Sequence, residues 1–252
     1  MLTQRLPGSR ILREYRVLAE VGSTNTYLLE EARNEYEGLV VLADHQTAGR
    51  GRQGREWIAP ARSAIHCSIL LRPNLLSGDR FLLTAACALA VRAALAPLVT
   101  ASPRIKWPND VLLADSKVCG VLAEAAHSPR GVLFILGFGV NVHATPDWDT
   151  APNATCIADH AKRAVTRLEV VVRILAGLDA LVSELYAGGA ERVWREWRDV
   201  LDTLGREVEM SGPEGTLRGR AVDVGRDGGL VIESPGGEQR RTLYAGDAIE
   251  SP

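Results

Sequence analysis

The spacing of apolar residues changes period several times along the chain, and each change marks an element. After Gly22-Ser23-Thr24-Asn25, where a hydroxyl or amide can cap a helix, TYLLEEARNEY puts Leu28, Leu29, Ala32 and Tyr36 on one face. Gly38 then opens LVVLADHQ, an apolar β-rich run that predicts a buried strand. AIHCSILLRP, ending at Pro73, predicts another. Asp79 to Leu98 is alanine-rich and apolar on most sides, which predicts a buried helix with Pro97 near its end. IKWPNDVLLADSK holds two short extended pieces around Pro108 and the turn formers Asn109 and Asp110. KVCGVLAEAA and GVLFILGFGVNV read as paired strands joined at 127–131, and Pro146 to Asn153 as a turn-rich loop.

Leu168 to Leu185 has the strongest helical signal, with Val171, Val172, Leu175, Leu178, Leu181, Val182 and Leu185 at three- and four-residue steps. Gly188-Gly189 breaks it, and a further helical piece carries Val193, Trp194 and Trp197. Near Gly205 the period shortens to alternation, with turns at 212–215, 226–229 and 235–237. That pattern predicts a small all-β barrel or sandwich over 205–252, beside a larger domain over 1–204. So short a tail is marginal alone and is expected to lean on its neighbour. The first fourteen residues are too few for a domain.

Composition narrows the function class. The chain has 252 residues, 46% hydrophobic and 24% charged, values ordinary for a soluble globular protein. With 29 Lys+Arg against 31 Asp+Glu, bulk attraction to nucleic acid is not predicted. Cys67, Cys87, Cys119 and Cys156 show no metal-like or C-x-x-C spacing, so reduced, buried thiols are expected. No apolar signal segment opens the chain, and the run from Phe81 to Val91 is too short to span a bilayer. A cytoplasmic protein without membrane partners is the expectation.

The chemistry concentrates in GRGRQGREW, residues 49–57. Its glycines fit G-x-G-x-x-G, but a dinucleotide turn needs a helix to start there. Here Pro60 and the absence of helical periodicity argue against one, and no acid follows the next strand at the required interval. A solvated basic turn is the plainer alternative. Against it stand Trp57, a large aromatic that anchors, and the apolar strand from which the loop grows. Arg50, Arg52 and Arg55 are suited to phosphate or carboxylate, and glycines let such a loop fold over a bound anion.

Other segments can complete a site. KWPND gathers a cation, an aromatic, two turn formers and a carboxylate at 106–110, and Lys117 opens an apolar strand. A surface lysine is the equal alternative there. Gly137 and Gly139 interrupt a strand, which permits either a bulge or the close approach of a ligand. Asn141 can read a purine edge or cap a turn. No Ser-His-Asp order, metal cluster or carboxylate pair stands out. The pattern favours positioning and charge neutralisation, as in adenylation of a carboxylate by ATP.

With GSTN, HQTAGRGRQGREW, KWPNDV, K-x-x-G-x-L-x-E at 117–124 and GFGVNV in this order, the chain resembles the biotin protein ligases from about residue 15 to the end. Gln53 departs from the family's usual arginine, at a position with no ligand role assigned. The resemblance implies an α+β fold: a mixed β-sheet with helices on one face, class II synthetase-like, plus a small C-terminal SH3-like β-barrel. It implies that biotin and ATP form biotinyl-5′-AMP and pyrophosphate, with Mg²⁺ accompanying ATP. Biotin then passes to one lysine of a biotin carboxyl carrier domain.

Carried over by motif, Ser23, Thr24, Asn25 and Gln46 would meet the biotin ureido ring. Gly49, Arg50, Gly51 and Arg52 would close over the biotinyl-phosphate, with Arg52 holding the mixed anhydride. Arg55 and Trp57 would brace the loop and the ATP side. Lys117 would contact the biotin carboxyl oxygen and the α-phosphate as main electrostatic catalyst. Gly120, Gly137 and Gly139 would line the pocket, Asn141 would meet adenine, and Asp110 would serve Mg²⁺ or ATP. Some family members add an N-terminal DNA-binding domain; too few residues precede the motifs here, so a ligase-only form without DNA binding is expected. Monomer and homodimer both stay open. The rivals are a lipoate or octanoyl ligase, which should lack the full arginine loop, and a nucleic-acid-binding module.

Overall fold

A computed structural model of the chain describes residues 2–32, 34–147, 149–212, 215–237, 239–244 and 249–250. Its elements in chain order are α1 (Leu2–Arg5), β1 (Glu14–Leu18), α2 (Thr24–Glu31), β2 (Leu39–Ala43), β3 (Ala64–Leu71), α3 (Leu82–Leu95), β4 (Arg104–Lys106), β5 (Asp110–Leu113), β6 (Ser116–Ser128), β7 (Gly131–Asn141), α4 (Arg167–Tyr186), α5 (Ala190–Asp199), β8 (Glu207–Gly212), β9 (Gly215–Val224), β10 (Leu230–Glu233), β11 (Arg240–Leu243) and β12 (Ile249–Glu250). Seven strands form one sheet in the order β1-β2-β3-β7-β6-β5-β4. β1 and β2 run parallel and the remaining neighbours antiparallel, so the sheet is mixed as expected.

Strand periodicity sorts side chains between the two faces. On β7, Phe134, Leu136, Phe138 and Val140 enter a large core with α3, α4 and α5. Leu133 and Ile135 point the other way, against Leu28 of α2 and Ala32 at its C-cap. The three long helices therefore cover one face, and α2 covers one end of the other. What α2 leaves uncovered on that face becomes the cleft.

α4 begins at Thr166, whose hydroxyl accepts the Glu169 amide at 3.1 Å, a standard N-cap. Its anticipated stripe is buried at Val171, Leu175, Leu178, Val182 and Leu185, with Val170 and Ile174 added; Val172 and Leu181 lie half-buried at its edge. Tyr36 lies beyond α2 and is exposed, so it does not share that helix's buried face. β1 was not anticipated. It is a five-residue edge strand with no buried residue, too short and too exposed for its alternation to stand out, and α2 is the crossover that its parallel pairing with β2 requires.

The tail forms a second, antiparallel sheet in the order β11-β10-β9-β8-β12. The tail is not the expected barrel: among the described residues β11 and β12 are the two edges, and the sheet is not closed. The tail leans on the larger part of the chain through indole donors. Trp107 Nε1 donates to the Gly228 carbonyl at 2.9 Å and Trp194 Nε1 to Gly225 at 3.0 Å. Arg198 pairs with Asp223 at 2.8 Å. Among the described residues no helix is long and apolar enough to cross a membrane. All four thiols are unpaired and buried, and burial pushes each above its ordinary pKa, which disfavours the reactive thiolate.

Candidate active site

The cleft lies on the α2 face of the large sheet. Its floor is the paired register of β6 and β7, where Gly120 faces Gly139 and Leu122 faces Gly137. A side chain on either β7 glycine would fill it: a Cβ at Gly137 would stand 2.1 Å from Asn25 Oδ1, and one at Gly139 2.4 Å from the Trp57 ring. The bulge alternative does not hold for these glycines, because the β3–β7 and β6–β7 registers run through them without a shift.

One wall is the start of α2, held beside the arginine loop by Thr47 and Ala48 amides donating to the Val21 and Gly22 carbonyls. Ser23 stands at the N-cap but its side chain makes no capping bond, contrary to the helix-cap expectation. Gln46 Oε1 accepts from both the Thr24 amide, at 2.8 Å, and the Thr24 hydroxyl, at 3.0 Å. Ser68 Oγ lies 2.7 Å from Thr24 Oγ1 and 2.6 Å from Asn25 Oδ1. Asn25 Nδ2 donates to Glu124 Oε2 at 2.8 Å. The wall is thus a connected polar network, and in a buried setting its members set one another's orientation.

The loop 49–57 forms the roof. It is a narrow hairpin, with Trp57 N donating to Gly49 O at 2.9 Å and Gly51 N to Arg55 O at 2.7 Å. Its tip, Arg52–Gly54, is a single 3-10 turn in which Gln53 and Gly54 both take positive φ, 55° and 74°. No helix follows, which disposes of the dinucleotide reading. The loop is exposed at Arg50 and from Gln53 to Glu56, but it is tied to the fold. Arg50 pairs with Glu124, Arg52 donates to Asn109 Oδ1 at 3.3 Å, and Trp57 lies across Gly120 and Gly139. Burial holds the Arg52 guanidinium below its ordinary pKa, with Asp110 opposing the shift and Arg55 adding to it.

Lys117 closes the far side. Its Nζ is 2.8 Å from Asp110 Oδ1 and 5.8 Å from the centre of a Trp57 ring. Its backbone is fixed by Asn153 and Thr155, bonded at 2.7 and 2.9 Å, so the turn-rich loop before Thr155 braces it. The cleft therefore brings together Ser23, Thr24, Asn25, Gln46, Arg50, Gly51, Arg52, Arg55, Trp57, Asp110, Lys117, Gly120, Gly137 and Gly139. Gly49 sits at the hairpin base.

Asn141 is not among the cleft-lining residues. It is buried two residues beyond Gly139, with Nδ2 donating to Thr155 O at 3.1 Å, while Oδ1 has no partner among the described residues. Asp110 faces Lys117, and the described residues gather no group of three or more His, Cys, Asp or Glu side chains able to hold a metal.

Three contributors escaped the motif reading. Ser68 and His66 sit on β3, where alternation alone marks them as facing the α2 side, and Glu124 ends K-x-x-G-x-L-x-E without a role. His66 is 2% exposed, and its Nδ1 lies 3.3 Å from Gln46 Nε2. Burial pushes its pKa down to about 4, with His45 and Arg167 adding to the shift and Asp44 opposing it, so the imidazole is neutral near pH 7 and can accept that N–H.

Residues 17–141 match the biotin/lipoate A/B protein ligase family, and residues 203–249 match the biotin protein ligase C-terminal domain. A biotin–[acetyl-CoA-carboxylase] ligase of Mycobacterium tuberculosis is 34% identical over 94% of this chain and 89% of its own length. One from Paracoccus denitrificans is 33% identical over 88% and 95%. The biotin protein ligase of Aquifex aeolicus, solved with biotin and ATP, superposes with a TM-score of 0.81 at 27% identity, covering 95% of this chain and 99% of that one.

Proposed function

The chain belongs to the biotin protein ligases of the biotin/lipoate A/B protein ligase family, and from that membership we propose how its own residues carry the reaction. As an ATP-dependent ligase it joins biotin to ATP, giving biotinyl-5′-AMP and pyrophosphate, and then transfers biotin to a lysine of a carboxyl carrier domain. The lipoate alternative is not favoured, since these relatives are named for biotin.

The observation that carries the residue assignment is convergence: two lid arginines, Lys117 and an uncharged polar wall meet over one glycine floor. Biotin's ureido ring is assigned to the wall of Ser23, Thr24, Asn25 and Gln46. The hydroxyl of Ser23, not used as a cap, is available there. The carboxylate then attacks the α-phosphate under the lid. Two anions must approach, and Lys117, Arg50 and Arg52 offset the charge where it concentrates. Arg55 and Trp57 brace the ATP side. Asn141 is assigned to adenine by motif; it lies outside the cleft lining, and its Oδ1, which has no partner among the described residues, would have to be uncovered to accept from the exocyclic amine. In the second step the carrier lysine's amine attacks the anhydride carbonyl, the amide forms, and AMP leaves with the anhydride oxygen.

Mg²⁺ would arrive on ATP's phosphates and neutralise part of their charge. A lone carboxylate suits an ion held mainly by phosphate and water, so Asp110 fits as one ligand. The carrier is that of a biotin-dependent carboxylase, the setting is cytoplasmic, and the division between residues 204 and 205 separates catalytic and C-terminal domains. Isotope exchange between ATP and pyrophosphate should require biotin and not respond to lipoate. Exchange without biotin would sink this reading.

A further inference from the structure

We propose that Glu124 is a positioning residue that latches the arginine lid over the cleft. Its carboxylate takes the Arg50 guanidinium with both oxygens and also accepts from Asn25 Nδ2 at 2.8 Å. Asn25 is itself tied to Leu122 O at 3.3 Å and Ser68 Oγ at 2.6 Å. One carboxylate thus joins the roof to the start of α2 and to two strands of the sheet. Glu124 faces the outer side of the hairpin, with residues 48–56 and Leu122, and does not line the inner cleft. Its role is to hold the roof, not to touch the reacting atoms.

Two of the lid's three arginines, Arg50 and Arg52, are clasped differently. Arg52 meets a neutral amide, because Asn109 Nδ2 donates to Val121 O and so turns Oδ1 toward the guanidinium. Arg50 meets a charge. The Glu124 and Arg50 side chains are 25% and 42% exposed, so salt reaches the pair and screens it. Opening of the roof should therefore depend on ionic strength through Glu124.

This inference rests on the ligase reading, and the test separates the two. Wild type and Glu124→Gln are loaded with biotin and ATP without carrier, and release of biotinyl-AMP is followed at about 0.05 M and about 0.5 M salt. At low salt the variant should release about fivefold faster than wild type, the scale of a part-exposed pair. High salt should speed wild-type release more than release from the variant and close most of the gap between them. Equal release at low salt, or wild-type release indifferent to salt, overturns the latch; the second measurement holds even if the variant does not fold. Absence of biotin-dependent exchange in wild type would instead overturn the ligase reading.

Discussion

At the scale of single residues, the least legible contributor is His66. Gln46 must present its carboxamide one way round: Oε1 toward the two Thr24 donors, Nε2 toward His66 Nδ1. A protonated His66 would set a donor against a donor and remove the reason for that orientation. Its pKa falls from 6.5 to about 4 on folding, chiefly by burial. The unfolded chain therefore binds more protons between these values, and stability drops as pH falls through that window and levels off below it. The shift corresponds to about 3 kcal/mol. Urea denaturation from about pH 7 down to about pH 4 should show that loss in wild type, with a shallower slope in His66→Phe. Identical slopes would mean His66 titrates as it does unfolded.

At the scale of elements, the lid combines two needs. Positive φ at the tip lets the hairpin reverse within a few residues, and the arginines tie it down. Replacing Arg52 by glycine removes the Asn109 clasp and a half-buried charge together. Biotinyl-AMP should then escape about tenfold to a hundredfold faster, the worth of a charge-assisted hydrogen bond. Biotin would appear on bystander lysines, scored by mass spectrometry, and an unchanged labelling pattern would remove the sealing role from Arg52. GRGRQGREW alone marks the loop as a candidate anion site, because glycines and arginines alternate in it. It does not mark the loop's partners, because Asn109 and Glu124 lie 57 and 74 residues away in the chain.

At the scale of the whole molecule, KWPND works as a joint. The Trp107 amide N–H donates to the Thr203 hydroxyl oxygen at 2.9 Å, and its indole N–H donates to the Gly228 carbonyl in the second sheet. Two residues later Asn109 seats Arg52, and Asp110 then seats Lys117. The second sheet is thereby connected to the cleft by four consecutive residues. Trp107→Phe should cost about 1 kcal/mol for the lost hydrogen bond. It should also speed amide exchange in β9 and β10 relative to β3, measured by mass spectrometry; exchange unchanged in the second sheet would count against the joint.

Local periodicity was enough for α3, α4, α5, β2, β3, β6, β7 and the change of character near Gly205, because each buries a face whose spacing is set by its own backbone. Motif order was enough to pick out most of the residues that line the cleft, since glycines inside a strand and arginines in a glycine-rich loop stand out from the apolar periodicity around them. Edge strand β1 alternates over only five residues and buries none of them, so its pattern carries little weight, and whether the tail closes depends on strand pairing between distant segments. Asn141, read as an adenine contact, lies outside the cleft lining and spends its amide nitrogen on Thr155 O. What only the tertiary structure decided is pairing: which acceptor orients Gln46, which carboxylate holds Arg50, which face α2 leaves open. Those depend on distances between residues far apart in the chain, and no local spacing encodes them.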